Sequence, residues 1–284
     1  MSQPRVWLIT GTSTGLGRAL AELVLEKGEA VIATARKPSV LDDLAQKYPK
    51  DRLLLLKLDV TVREHIVDAF AQAKKAFGRI DVVFNNAGYA DTGEVESMDE
   101  ATARAIFDTN FWGATAVTRE ALEFFREVNP PGHGGVLLQM SSVLGVTGTP
   151  AFAFYSASKF ALEGMTDSLV KELDAQWNIK VTLIELGWFR SQCVPNAQWS
   201  TPHPAYTNPD LATNQLRAGW PESVAAGDTR KAVEVFFKIA GLPDPPLHFP
   251  VGKDALLAIR KKTAERIEVM DQYESWSEDL LAAD

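Results

Sequence analysis

The segment Thr10-Gly11-Thr12-Ser13-Thr14-Gly15-Leu16-Gly17 constrains this 284-residue chain more than any other stretch. It follows a short apolar run, Arg5 to Ile9, and opens an apolar-periodic stretch through Ala19, Leu20, Leu23 and Val24. The order is strand, glycine-rich turn, helix. Glycines let the backbone turn tightly and approach a ligand with no Cβ in the way. The N–H groups at the start of the helix then face an anion, most often a pyrophosphate. A glycine cluster alone is equally compatible with plain loop. The flanking strand and helix turn the reading toward a dinucleotide.

The same alternation continues along the chain. Strands are predicted over 5–10, 30–34, 52–58, 81–85, 134–141 and 179–185. Most are continuous apolar runs, as in strands buried on both faces. Helical patterns fall near 15–27, 40–48, 62–76, 99–127, 153–177 and 228–240. Alternation of this kind gives right-handed βαβ crossovers and a parallel sheet covered by helices. The fold class read from it is α/β, a single doubly wound Rossmann-type domain over residues 1–284. No strong linker divides residues 1–190. After Gly187 the composition changes, and 195–227 is rich in Pro, Asn, Thr and Ser with Trp199, Tyr206 and Trp220 interspersed. A loop this long in a compact domain is functional or mobile. It is read as a substrate lid over 191–227, followed by C-terminal helices over 228–284 with a charged helical tail from about residue 252.

Composition narrows the function. A net charge of −8 argues against nucleic acid and anionic membranes as partners, because both select a basic surface. No run of about 18 apolar residues could span a membrane. The N-terminus runs directly into the first strand, so no signal peptide is expected. The lone cysteine, Cys193, fits a reducing compartment and a cytoplasmic location. His65, His133, His203 and His248 show no metal-ligand spacing, and no metal is expected.

A chemical constellation follows. Tyr155 and Lys159 are four residues apart in a helix-compatible run, on one face and one turn apart. A free phenol titrates at about 10. A neighbouring ammonium favours the phenolate and brings the group nearer the working pH, where proton transfer is most effective. The plain alternative is a tyrosine and a lysine on an ordinary amphipathic helix. Ser142 lies at the end of the run Gly135 to Ser142, where ligands bind outside the carboxyl ends of parallel strands. Its plain alternative is turn chemistry or a helix cap. Asn85-Asn86-Ala87-Gly88 ends another apolar strand, and Asn110 sits in mid-helix, where an Asn is an indifferent helix former.

Together these residues resemble the short-chain dehydrogenase/reductase family, in its short form. The resemblance rests on T-G-x-x-x-G-x-G at 10–17, N-N-A-G at 85–88, Asn110, Ser142 and Y-x-x-x-K at 155–159. It runs from residue 5 to about 191, and more weakly to 260. Ser142-Val143-Leu144-Gly145 and the helix start at Gly227-Asp228 are most similar to the 17-beta-hydroxysteroid-dehydrogenase-like subgroup. The resemblance implies that Tyr155 is the general acid or base, and that Ser142 bonds the substrate oxygen and steadies developing charge. It implies that Lys159 lowers the Tyr155 pKa and holds the nicotinamide ribose, and that Asn110 supports a water in a proton relay. Gly11, Thr12, Ser13, Gly15, Leu16 and Gly17 would form the pyrophosphate turn. Asp59 and Val60 would bind adenine, and Asn86, Ala87 and Gly88 would pack along the adenosine ribose. Gly187, Phe189 and Ser191 would contact the nicotinamide side. One departure stands out: the family's usual Pro-Gly after the sixth strand is Leu186-Gly187 here, which restores an N–H and frees φ.

Cofactor choice is read at the end of the second strand. An acidic residue there would accept from the ribose 2′-hydroxyl. Ala35 holds that slot and Arg36 follows, and a guanidinium suits a phosphate. The expectation is therefore NADP(H). The function read from the whole is NADPH-dependent reduction of an apolar or aromatic ketone or aldehyde. Leu144 and Trp188 belong to the substrate wall, which Tyr89, Val143, Phe189 and Trp199 would extend. A homodimer or homotetramer through the long helices is the family's habit. Two other functions are weighed. A cofactor-free lyase on this fold would lose the glycine-rich loop and the lysine, and a non-enzymatic NADP-sensing regulator would tolerate loss of the Ser-Tyr-Lys set. Both features are intact here.

Overall fold

A computed structural model describes residues 4–190, 196–220 and 227–280. Seven strands form one parallel sheet: β1 (Val6–Ile9), β2 (Ala30–Ala35), β3 (Leu53–Lys57), β4 (Val82–Asn85), β5 (Gly135–Met140), β6 (Ile179–Leu186) and β7 (His248–Val251). Their order is β3-β2-β1-β4-β5-β6-β7. The chain runs outward from β1 to β3, then returns to place β4 against the other side of β1. This reversal is the topological switch point, and ligands of open α/β sheets bind at the carboxyl ends of the strands there.

The helices are α1 (Gly15–Glu26), α2 (Asp42–Lys47), α3 (Arg63–Phe77), α4 (Glu100–Phe107), α5 (Ala114–Glu127), α6 (Ala153–Glu172), α7 (Ala212–Ala218), α8 (Thr229–Ile239) and α9 (Lys253–Tyr273). Alternation along each strand assigns them to two faces. Trp7 and Ile9 of β1 join residues of α1 and α8 in one apolar cluster, where Trp7 stacks on Phe237 at 5.7 Å between ring centroids. Val6 and Leu8 join Ile66, Phe70 and Ala73 of α3 and Val117, Phe124 and Phe125 of α5 on the other face. Burying both faces is what required the near-continuous apolar strands.

Three elements depart from the sequence reading. The helix expected over 99–127 is interrupted by a π-helical turn, Asp108–Gly113. There the wider turn carries Asn110 and brings Gly113 against Val60, where a Cβ would come within 2.7 Å of the valine side chain. The edge strand β7 was not expected, because four residues containing Pro250 give no strand signal. Within the long polar stretch, 196–220 lies along the loop that follows β4: Thr92 N–H donates to Gln198 O, and Ser200 N–H donates to Thr92 O, both at 2.8 Å. The helix α7 in that stretch was also not expected.

Candidate active site

One cavity of about 580 Å³ opens at the carboxyl ends of β1, β4, β5 and β6. At one end it is lined by Gly11, Ser13, Thr14, Gly15 and Leu16. Gly11 and Gly15 have φ of 70° and 59°, the left-handed region that favours glycine. A Cβ at Gly11 would come within 3.1 Å of the Ala87 backbone. The N-cap Thr14 makes no side-chain cap bond to α1, and the first turn carries no acidic residue. Its orphan N–H groups are left for an anion. Thr12 and Gly17 do not line the cavity. The Thr12 hydroxyl donates to Thr34 O at 3.0 Å, fixing the turn to β2. At Gly17 a Cβ would lie 2.3 Å from Gly11 O, so this glycine lets α1 close on the loop.

Arg36, Asp59 and Val60 line the same end, from the tips of β2 and β3. The Asp59 carboxylate accepts from the N–H and hydroxyl of Thr61 at 3.0 and 2.7 Å. Burial would raise its pKa, but these two bonds and the charge of Arg36 outweigh it and hold the pKa below the usual value. Asn86, Ala87 and Gly88 form the floor. Asn86 Nδ2 donates to Thr10 O at 2.8 Å, and Thr10 Oγ1 accepts from the N–H groups of Asn86 and Ala87. The two loops are thereby locked together.

Further along, Ser142, Tyr155 and Lys159 meet in the same cavity. Ser142 follows β5, and its hydroxyl accepts from Leu144 N–H at 3.1 Å. The cap reading and the cavity position are therefore both realised. Tyr155 and Lys159 occupy the first two turns of α6. The Lys159 ammonium is 3% exposed, donates to Met140 O at 2.7 Å and lies 5.8 Å from the centre of the Tyr155 ring. Asn110 stands behind the cavity wall. Its Nδ2 donates to Tyr89 O at 2.9 Å and to Ser158 Oγ at 3.2 Å, and its Oδ1 accepts from Tyr89 N–H at 3.0 Å. Gly88 is the seam between them: a Cβ there would lie 2.9 Å from Asn110 Oδ1 and 3.6 Å from Lys159 Nζ.

The far end is aromatic. Leu144, Phe152, Trp188, Phe189 and Trp220 line it beside Gly187. Phe152 is central, with ring centroids 6.2, 5.4 and 5.7 Å from Tyr155, Trp188 and Trp220. Sequence reading missed Phe152, which is the N-cap residue of α6 and lies just before the expected helix. It also missed Asp91, whereas Asn196, Gln198 and Trp220 come from the segment read as the lid; Trp199, expected in the wall, does not line the cavity. Ser191 and Cys193 lie outside the described residues. At the departure from Pro-Gly, Leu186 stays in β6 opposite Val251, and Gly187 N–H donates to Val251 O at 2.9 Å. Trp188 N–H donates to the Asp254 carboxylate at 2.6 Å.

One turn beyond Lys159, Glu163 of α6 and Glu185 of β6 converge on His248 of β7. Their oxygens lie 3.3 and 2.9 Å from His248 Nδ1, and Asp167 reaches Nε2 at 2.9 Å. Burial, joined by the charge of Glu185, pushes the Glu163 carboxyl up to about 7, against the pull of Ser141 and His248. Burial would lower the His248 pKa, but the carboxylates around it outweigh burial and raise it. No spacing in the sequence shows this cluster, because three separate elements supply it.

The family model for short chain dehydrogenase matches residues 5–200. An uncharacterized oxidoreductase of Schizosaccharomyces pombe is 41% identical over 90% of this chain and 84% of its own length. The crystal structure of a short-chain dehydrogenase from Streptomyces avermitilis superposes with a TM-score of 0.86 at 32% identity, covering 99% of this chain and 100% of that one. A short chain dehydrogenase from Burkholderia cenocepacia, crystallised with NADP, is 25% identical with a TM-score of 0.73, covering 95% and 97%. A Burkholderia phymatum structure with NAD, 20% identical and with a TM-score of 0.79 over 94% and 95% of the two chains, shares the fold.

Proposed function

The chain belongs to the short-chain dehydrogenase family, an oxidoreductase among oxidoreductases, and we propose that it is an NADPH-dependent reductase of apolar or aromatic ketones and aldehydes, reversible in principle. The observation that carries this reading is the single cavity: Ser142, Tyr155 and Lys159 share it with the uncapped turn of α1 and with Arg36. The residues present fit a dinucleotide: Gly11 and Gly15 give the cavity a tight turn of positive φ, and the N-cap Thr14 leaves the start of α1 without a side-chain cap bond.

A bound reduced nicotinamide would supply the hydride for the carbonyl carbon. The chain's own groups do the rest. Ser142 donates to the carbonyl oxygen and Tyr155 gives it a proton. The Lys159 ammonium, held from behind by Met140 O, favours the phenolate that remains. Asn110, locked to Tyr89 and Ser158, supports the route by which that proton is replaced. Gly187 and Phe189 would border a bound nicotinamide, and Asp59, Val60, Asn86, Ala87 and Gly88 the adenosine. Arg36 clamps the 2′-phosphate. Leu144, Trp188 and Phe152 hold the apolar body of the substrate.

Residues 1–190 would then form the cofactor and catalytic core, 191–227 the substrate lid and 228–284 the C-terminal helices of one domain. A cytoplasmic location and a homodimer or homotetramer complete the reading. Among the described residues no helix is long and apolar enough to cross a membrane. The test is a panel of carbonyl compounds followed by NADPH absorbance. Binding of NADPH without oxidation by any of them would favour the regulator instead.

A further inference from the structure

Arg217, with its side chain 21% exposed, and the buried Glu94 form a partly buried bridge between two segments that share no secondary structure. Glu94 lies in the loop after β4, with its side chain 1% exposed, and Arg217 lies in α7. Arg217 Nη2 donates to Glu94 Oε2 at 3.1 Å, and Nη1 stands at ion-pair distance, 2.9 Å, from Oε1, which accepts no hydrogen bond among the described residues. Ser97 Oγ adds a bond to Oε2 at 2.8 Å, and Arg217 Nη1 donates to Asn214 Oδ1 at 3.2 Å. A hydrogen bond in which both partners are charged is stronger than a neutral one. The guanidinium carbon sits 4.6 Å from the ring centre of Trp199. Trp199 meets Trp220 edge-on at 5.8 Å, Trp220 meets Phe152 at 5.7 Å, and Phe152 meets Tyr155 at 6.2 Å. A chain of contacts thus runs from a buried carboxylate outside the cavity to the tyrosine inside it.

We infer that the Glu94–Arg217 bridge sets substrate selectivity: it fixes Trp199, which stands outside the cavity lining and backs Trp220 of the far wall, so that bulky apolar carbonyl compounds depend on it and small ones do not. Neither residue lines the cavity. Arg217 is a positioning residue, and the inference rests on the reductase reading above. The chemistry supports permanence. Burial would raise the Glu94 pKa, but Arg217 and Ser97 outweigh it and hold the carboxyl at about 2, so the bridge stays charged over the whole working range. Loss of Arg217 is the more damaging change, because it leaves the Glu94 carboxylate buried and uncompensated, whereas removing both charges is milder. Other ties between the segments are the backbone bonds at Thr92, the Thr92 hydroxyl on Gln198 O, Gln198 N–H on the Asp91 carboxylate and the Tyr206 hydroxyl on Glu96, which hold the strip but not the rings.

The test compares wild type, Arg217→Met, Arg217→Lys, Glu94→Gln and the Glu94→Gln/Arg217→Met double variant, using NADPH with 2-naphthaldehyde and with propanal. The expected result is a fall of at least tenfold in kcat/KM for 2-naphthaldehyde in Arg217→Met, carried by KM, with propanal changed less than threefold. Arg217→Lys, which keeps the charge but not the guanidinium, falls between, and the double variant regains part of the loss. Hydrogen exchange of residues 196–220 accelerates in the single variants and returns toward wild type in the double. Equal losses for both aldehydes, or no loss for either, overturn the inference. So does unchanged exchange, which is readable whether or not either aldehyde is a substrate. A wild type that binds NADPH but turns over neither aldehyde counts against the reductase reading, while accelerated exchange still supports the bridge as the fixer of this wall. If Arg217→Met does not fold, the lysine and double variants carry the same comparison.

Discussion

The ammonium of Lys159 donates to the main-chain carbonyl of Met140 at 2.7 Å, joining the second turn of α6 to the last residue of β5. The bond fixes one end of a buried cation whose ring neighbour, Tyr155, stands one turn away on the same helix face. Ser142 is two residues beyond Met140 in the chain. A strand end and a helix start are thereby held in one frame, and the three side chains read as catalytic derive their relative positions from it.

Replacing Tyr155 by Phe removes the phenolic proton and leaves the ring packing against Phe152. NADPH affinity and thermal stability should stay close to wild type. Turnover should fall by roughly 10²–10⁴-fold, the contribution typical of a positioned acid. Steady-state kinetics on any accepted carbonyl compound checks this, and a kcat within a few-fold of wild type would remove Tyr155 from the mechanism.

Arg36 lines the cavity beside Asp59 at the tip of β2, with Ala35 in the slot an acidic residue would fill for NADH. Arg36→Ala should weaken NADPH binding by roughly 10- to 150-fold, as for loss of a hydrogen bond to a charged group, and barely affect NADH. Lys37 follows in sequence and can restore part of the charge, so the single variant should fall at the low end. Adding Ala35→Asp should move the ratio further. The NADPH-to-NADH ratio of kcat/KM in wild type and both variants decides it. A wild type that already prefers NADH would refute the assignment of Arg36.

What the sequence showed, and what it hid, follows from the range of the interactions. The glycine-rich turn, the strand runs and the Tyr155–Lys159 spacing are local patterns, and each lies where it was expected. Gly11 and Gly15 have the positive φ that the turn needs. Thr12 and Gly17 belong to the same motif but serve the packing of the turn, because motif membership does not say which residues face outward. The π-helical turn at Asn110 was hidden, since one extra residue per turn leaves the apolar periodicity nearly unchanged. The edge strand β7, the His248 cluster and the Glu94–Arg217 bridge join residues far apart in the chain and leave no spacing to read. Phe152 is the N-cap of α6, outside the helix, so helical periodicity does not mark it.

At Gly187 a Cβ would fall 2.3 Å from one oxygen of the Asp254 carboxylate and 2.4 Å from the other. That carboxylate also receives Trp188 N–H. Gly187→Ala must therefore displace the Asp254 carboxylate from Trp188 N–H or push the exit of β6 from the first turn of α9, a cost of roughly 1–3 kcal/mol. Because Gly187 and Trp188 both line the cavity, KM for NADPH or for the carbonyl compound should rise by about tenfold. Asp254→Ala in the Gly187→Ala background should remove the clash and recover stability, though not the lost bond to Trp188. Thermal melts and KM values for the two single variants and the double test this. An alanine variant matching wild type in both would mean that the loop yields freely.

The Glu163–Glu185–His248 cluster gives the fold a pH dependence with a definite sign. Glu163 has its pKa raised in the folded state to about 7, and Glu185 is raised for the same reason, burial. A carboxyl with a raised folded pKa holds its proton longer in the native state than in the unfolded chain. The native state thus binds more protons from the ordinary carboxylate range up to about pH 7, and stability falls as pH rises through that window. His248 is also raised, by the carboxylates around it. Its stabilising contribution is complete below the ordinary histidine pKa and is lost as pH rises through its folded value. The titrations belong to the cluster as a unit, and all act in one direction. Glu94 acts in another window: its lowered pKa makes its contribution constant above the carboxylate range and lost only in acid. Between pH 5 and pH 8 the cluster should therefore lower Tm. In Glu163→Gln, a neutral mimic of the protonated form, the curve should flatten, gaining on wild type toward pH 8 and little at pH 5. A gain of roughly 2–4 °C corresponds to about 1 kcal/mol in a domain of this size. Thermal melts of the two proteins across this range are the measurement, and curves that stay parallel from pH 5 to pH 8 would show that Glu163 does not retain its proton in the folded protein.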